Sequence, residues 1–294
     1  PQEIKVSNDT NALNVTLSEN AAALNEVVVV GYGVQKKSVM SSAVSRVSAD
    51  DLDRGNPTNI QNALKGKVSG VQIISNSGQP GADSKIRIRG IGTTNDSNPL
   101  YIVDGMPSEE GINHLNPSDI ESIEILKDAA SAAIYGSRGA NGVVLVTTKK
   151  GQKGRATVNY EFSYGIQNPS KKVEFLNAAE YKTIMTEMAE VNNIDPYPIV
   201  GNYDTDWQEV LRNKNAPIMN HKVSISGGND NQTYYLSFGY VNQEGIFAKG
   251  HSNYERYNAR VNYNNVFYEN QNRSWLSKIT FGTNITYSKS KKTG

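Results

Sequence analysis

The chain has 294 residues, with 30 Lys and Arg against 29 Asp and Glu, a formal net charge of +1, 37% hydrophobic residues, no cysteine and a mean hydropathy of −0.54. Near-neutral charge gives no field that would draw nucleic acid, and the lack of cysteine excludes disulfides, thiolate catalysis and Cys-ligated metals. No run of eighteen apolar residues exists, which excludes a transmembrane helix but not a membrane β-barrel, whose strands carry only a weak alternating signal.

Residues 3–19 hold two short alternating runs, EIKVSND and ALNVTLSEN, which read as the closing hairpin of a small β-domain, and Pro1-Gln2-Glu3 reads as the interior of a longer sequence. Residues 20–34 form a linker that carries LNEVVVVGYG at 24–33. Four consecutive valines present apolar groups on both faces of a strand, so the run suits either a buried strand or a strand waiting for a sheet to join.

Residues 35–152 mix helix and strand. NIQNALKG follows Pro57-Thr58 and reads as a short helix with Thr58 as N-cap. VSGVQIIS, SKIRIRG, PLYIVDG, ESIEILKD and NGVVLVTTKKG read as strands, and DAASAAIYG as a short helix stopped by Gly136. SKIRIRG sets Lys85, Arg87 and Arg89 on one face and Ile86 and Ile88 on the other. Asp104-Gly105 and Gly136, Gly139 and Gly142 read as turn chemistry. A metal role for Asp104 with Glu109 and Glu110 stands beside the plainer reading of a solvated loop. GIGTTNDSNPL is a polar loop between two strands. His114, His221 and His251 are scattered without a Ser or Asp partner at a telling spacing, and no nucleophile elbow, P-loop or HExxH is present. This segment reads as a compact α+β domain.

From residue 153 the pattern becomes long alternating strands. Three of the sixteen tyrosines (Tyr32, Tyr101, Tyr135) precede Gly154 and thirteen follow it, which implies two segments in different solvents. Val158, Tyr160, Phe162, Tyr164 and Ile166 alternate with Thr157, Asn159, Glu161, Ser163 and Gly165. Tyr234, Leu236, Phe238 and Tyr240 alternate with polar and small residues. Tyr257, Ala259, Val261 and Tyr263 alternate with Arg256, Asn258, Arg260, Asn262 and Asn264, and Ile279, Phe281, Ile285 and Tyr287 lie on one face of the last run. Pro217–Gly228 is a weaker strand. Five strands of about ten residues, each with one apolar and one wet face, fit an outer-membrane β-barrel better than a soluble sandwich. The turns GGNDNQ and ENQNRS are short, whereas residues 168–216 form a long loop of the kind that faces outward. Within it Asn177 with Glu180 marks a helix start, followed by Tyr181, Ile184, Met185 and Met188 on one face.

LNEVVVVGYGVQKK, SKIRIRGIGTTNDSNPLYIVDGMP and DIESIEILKDAASAAIYGSRGANGVVLVTTKKG, in that order, resemble the SusC/RagA-type TonB-linked outer-membrane transporters of Bacteroidota. The resemblance implies the end of a carboxypeptidase-regulatory-like domain at 1–19, an α+β plug domain at 35–152, and the first strands of an antiparallel transmembrane β-barrel at 153–294. The parent barrel would have about 22 strands, so five cannot close a pore. Under this resemblance Glu26, Val27, Val28, Val29, Val30, Gly31, Tyr32 and Gly33 are the TonB box, which pairs with the edge of a sheet in TonB. Lys85, Arg87 and Arg89, joined by Arg138, tie the plug to acidic groups on later strands of the wall than the five present here. Thr93, Thr94, Asn95, Asp96 and Asn98, with Tyr197, Tyr203 and Trp207 in the outer loop, are candidate substrate contacts. The implied activity is TonB-dependent import of an oligosaccharide or peptide across the bacterial outer membrane, beside a SusD-like surface lipoprotein and in outer-membrane lipid. No catalytic residue, cofactor, metal or nucleic-acid partner is implied. A signalling or adhesion receptor on the same plug, and a carbohydrate-active enzyme, are the competing readings.

Overall fold

The computed structural model describes residues 44–53, 58–75, 77–93, 96–195, 203–270 and 276–294, with the backbone of two short strands, β1 (Val27–Val30) and β2 (Gly33–Lys36). The expected hairpin at 3–19 lies outside the described residues. β1 and β2 pair antiparallel, Val27 opposite Lys36 and Val30 opposite Gly33, as a ribbon separate from every other sheet. Among the described residues the valine run is therefore not a strand of the plug sheet.

Residues 44–148 build β3 (Val44–Ser48), α1 (Ala49–Asp53), α2 (Ile60–Leu64), β4 (Val71–Ser75), β5 (Ser84–Ile88), β6 (Leu100–Val103), β7 (Met106–Ser108), β8 (Ile120–Leu126), α3 (Ala129–Ala132) and β9 (Val143–Thr148). One five-stranded sheet has the order β3-β8-β9-β6-β7, with β6 and β9 parallel; β4 and β5 form a separate antiparallel ribbon. β8, β9 and β6 are the inner strands, with β9 at the centre. The VVLV run of β9 is apolar on both faces, β8 sets Ile123 and Ile125 on one face with Glu124 and Leu126 on the other, and Ile123, Ile125, Val144 and Val146 are all buried in one core. α2 starts one residue later than the sequence suggests. Asn59, in extended conformation, is its N-cap, and its Oδ1 accepts from the Asn62 N–H at 2.8 Å, so Thr58 is not the cap. α3 is capped by Asp128, whose Oδ1 accepts from the Ser131 N–H at 2.8 Å, and the helical path breaks at Gly136, which has φ of 59°.

The second sheet holds β10 (Gly154–Gln167), β11 (Ala216–Gly228), β12 (Gln232–Glu244), β13 (Asn253–Glu269) and β14 (Lys278–Thr293), in sequence order and antiparallel throughout. The strands have 13 to 17 residues, longer than the ten expected, because each runs past its apolar stretch into a polar end. The β10–β11 connection carries α4 (Ala178–Asn192) and α5 (Trp207–Leu211). α4 opens on a complete capping box, with the Glu180 N–H donating to Asn177 Oδ1 and the Asn177 N–H donating to Glu180 Oε2.

Burial in this sheet is reversed from that of a soluble sandwich. On β13 Arg256, Asn258, Arg260 and Asn262 are 1%, 2%, 2% and 4% exposed, while Tyr257 and Val261 on the other face are 41% and 37% exposed. Phe238 on β12 and Phe162 on β10 are likewise exposed. The polar face of β11 to β13 covers the plug, and among the described residues the apolar face has no protein against it. A chain folding in water alone would turn that apolar face inward. Among the described residues no helix is long and apolar enough to cross a membrane.

Candidate functional site

The site is the surface where the plug meets the inner face of the strands, and its contacts fall in three groups. The first centres on Asp104. This residue follows β6 with φ of 48°, in the turn that its Asp-Gly pair announces. The turn aims its carboxylate across the end of β9 towards the wall. Asp104 Oδ1 accepts from the Thr148 N–H at 2.9 Å, and Oδ2 accepts from Thr148 Oγ1 at 2.5 Å, Arg260 Nη2 at 3.0 Å and Asn284 Nδ2 at 2.6 Å. Arg260 also donates to Thr148 Oγ1 and, through Nη1, to Thr286 Oγ1 at 2.8 Å. Burial alone would raise the Asp104 pKa; the Thr148 hydrogen bonds, the Arg260 charge and Asn284 outweigh it and hold the carboxyl below its ordinary value. Asp104 therefore stays ionised as the plug's anchor on β13 and β14.

The second group centres on Asp119, in the 3-10 turn Pro117–Asp119 ahead of β8. Lys222 of β11 lies 3.1 Å from its carboxylate and donates to the Ser118 carbonyl at 2.6 Å. Tyr235 of β12 donates to Asp119 Oδ1 at 2.9 Å. In the third group the partners are backbone carbonyls. Arg256 donates to Asn113 O at 2.9 Å and Thr58 O at 3.0 Å, and Asn258 donates to His114 O at 2.6 Å. Close approach accompanies these bonds. Gly81 sits under the Tyr254 ring and Gly239 against the Asn116 amide, with no room for a Cβ at either.

Desolvated cations on the wall and carboxylates on the plug thus hold the two together. The resemblance implies a second set of ties, in which plug cations meet acidic groups on wall strands later than β14. Lys85 is exposed, Arg87 is half-buried and donates to Asn98 Oδ1 at 3.0 Å, and Arg138 is 4.0 Å from Glu109, so among the described residues these contacts of Arg87 and Arg138 lie within the plug. Arg89 does not share their strand face: β5 ends at Ile88, and Arg89 turns away with φ of 55°. Lys85 and Arg138 line, with Asp96 and Asn98, a polar crevice of about 580 Å³ beside Tyr101 and Glu110. Burial pushes the Tyr101 phenol up to about 12, so it remains a neutral donor. Thr93 is half-buried, and Thr94 and Asn95 lie outside the described residues.

In the outer loop Trp207 begins α5 and lines a hollow of about 620 Å³ with Phe175 and Leu176, while Tyr203 is 88% exposed nearby in sequence. Tyr197 lies outside the described residues. Of the valine segment, Val27, Val28, Val29 and Val30 form β1 and Gly33 opens β2; Glu26, Gly31 and Tyr32 lie outside. Asp104, Glu109 and Glu110 form no metal-binding group among the described residues.

A plug domain bonded to the polar face of an antiparallel sheet whose other face is apolar and uncovered defines the plugged β-barrel class of TonB-dependent receptors. Residues 36–143 match the family described as the TonB-dependent receptor plug domain. TonB-dependent receptor SusC of Bacteroides thetaiotaomicron is 39% identical over 280 residues, which cover 92% of this chain and 27% of SusC. TonB-dependent receptor P26 of Formosa agariphila is 39% identical over 302 residues, 98% of this chain and 29% of that protein. The structure of the RagAB peptide importer in its open-open state has a TM-score of 0.71 at 33% identity, over 91% of this chain and 32% of that chain. The chain is similar along nearly all of its length to SusC/RagA-type TonB-dependent receptors, and it carries the plug and five wall strands. It spans between a quarter and a third of the length of the relatives it matches. Those relatives are receptors and transporters, not enzymes.

Proposed function

We propose that the protein imports a large nutrient, an oligosaccharide or a peptide, across the bacterial outer membrane, and that TonB drives it by pulling the segment 26–33. The observation that carries this reading is the plug–wall network. It is buried and hydrogen-bonded, yet ionic rather than apolar. Much of the attraction between buried charges offsets their desolvation, so such a surface seals firmly and still separates under load. β1 supports the TonB-box reading: it is a short strand with one edge paired to β2, and among the described residues it belongs to no larger sheet, which leaves its other edge for strand addition there.

Substrate enters from the long-loop side. The crevice that brings Lys85, Arg138, Asp96 and Asn98 together offers amide, carboxylate and cationic groups to a polar cargo, and Trp207 offers an exposed ring for stacking. The name of the RagAB peptide importer favours a peptide among the two cargo classes. A SusD-like lipoprotein partners the outer mouth, and TonB the periplasmic side. Deleting Val27–Val30 from the full-length protein is expected to leave outer-membrane insertion and substrate binding intact and to abolish uptake. Normal uptake by that deletion variant rejects the assignment of the segment.

A further inference from the structure

The outward apolar stretch does not run straight across the sheet. Phe162, His221, Tyr240, Tyr257 and Lys289 form one register row across β10 to β14. On β10 the outward apolar residues run from Val158 to Ile166, centred on Phe162 in that row. On β14 they run from Ile279 to Tyr287, centred on Thr283, six residues below it. Six residues are roughly 20 Å along a strand, and four strand spacings are roughly 19 Å across the sheet. The apolar band therefore crosses the strands at about 45°, the tilt that membrane barrels adopt. This fixes where the band ends. On β14 its last outward aromatic is Tyr287, and the next outward positions are Lys289 and Lys291, both exposed, at the end where the long connections lie. Tyr257 stands opposite Lys289. Glu255 stands opposite Lys291 and accepts from Asn253 Nδ2 at 3.4 Å, and neither lysine has a carboxylate within 4.0 Å among the described residues. Lys292 points to the other face, over the Tyr254 ring.

We infer that Lys289 and Lys291, set on the Tyr257–Tyr287 shelf at the upper edge of the apolar band, bind the phosphates of an anionic glycolipid in the outer leaflet. The inference rests on the membrane-barrel reading. The aromatic shelf holds at the level of the headgroups, the acyl chains lie along Phe281, Ile285 and the apolar stripe below, and the two ammonium groups meet the phosphates above. The continuity of the lysines with the lipid-facing band favours a lipid phosphate over a free anion.

The test uses the full-length protein in nanodiscs of phosphatidylcholine, with and without bisphosphorylated lipid A, and with inorganic phosphate as a soluble competitor. Lipid A retention is read by native mass spectrometry. The wild type is expected to retain lipid A through phosphate challenge. Lys289→Ala/Lys291→Ala is expected to bind it about thirtyfold more weakly while inserting normally, at about fivefold per lysine. Lys289→Arg/Lys291→Arg is expected to bind as the wild type does. Equal retention by the alanine variant, or displacement by inorganic phosphate, overturns the site and leaves the barrel reading standing. A wild type that fails to insert into nanodiscs overturns both.

Discussion

Arg260→Ala isolates the principal anchor. In the wild type Arg260 is 2% exposed and Asp104 10%, at 3.0 Å. Removing one partner of a buried ion pair costs about 3–5 kcal/mol, because the other charge is left without compensation. Asp104 keeps its bonds to the Thr148 N–H, Thr148 Oγ1 and Asn284, which puts the expected cost at the lower end, about 3 kcal/mol. That corresponds to roughly a hundredfold more frequent opening of the plug–wall contact. The Thr148 amide reports it directly, since its N–H donates to Asp104 Oδ1 at 2.9 Å. Hydrogen exchange on the full-length protein in membranes is expected to show protection at Thr148 falling about a hundredfold, with the β8–β9 core amides unchanged. Asp104→Asn/Arg260→Met is expected to recover part of the loss, because it leaves no unpaired charge. Unchanged protection at Thr148 in an inserted Arg260→Ala protein refutes the assignment of this pair as an anchor.

Two further outcomes follow from the same interface. The folded-state pKa of Asp104 lies below its unfolded value, so its contribution is complete at neutral pH and is lost as pH falls through the depressed value; protection factors at Thr148, corrected for intrinsic exchange, are expected to stay level from pH 8 to about 5 and to fall below about pH 4. Gly81→Ala places a Cβ 2.3 Å from the Tyr254 ring at a residue with φ of 65°, and is expected to lower the thermal midpoint and expose Tyr254, with Tyr254→Ala relieving the clash but not the backbone strain of about 1 kcal/mol; an unchanged midpoint contradicts the close contact.

The wall strands were legible because alternation is a local property. Arg256, Asn258 and Arg260 against Tyr257, Ala259 and Val261 declare two faces within a few residues. The α4 start was legible for the same reason, as Asn177 and Glu180 satisfy each other three positions apart. The anchors were not. Asp104 read as a turn residue, and it is one; its second role depends on Arg260, 156 positions away, and Asn284, 180 positions away. Arg256 pairs with the carbonyls of Thr58 and Asn113, groups that every residue carries, so no sequence signal marks them. Lys85 and Arg87 were placed correctly on an alternating strand, while Arg89 left it because β5 ends one residue earlier. A sign that pointed to the interface was present in the polar face of β13. Two arginines and two asparagines spaced by two on a strand of a barrel face its interior, and guanidinium groups there require acceptors.

The account depends most on the claim that β10–β14 separates lipid from the plug. The chain has no cysteine, so single cysteines for spin labels can be introduced one at a time from 256 to 263 in the full-length protein in bilayers. Collision with oxygen, which concentrates in lipid, is predicted to peak at 257, 259, 261 and 263 and to be low at 256, 258, 260 and 262, where the plug covers the strand. A profile without period two, or one in which the odd positions collide chiefly with a water-soluble nickel chelate, contradicts it.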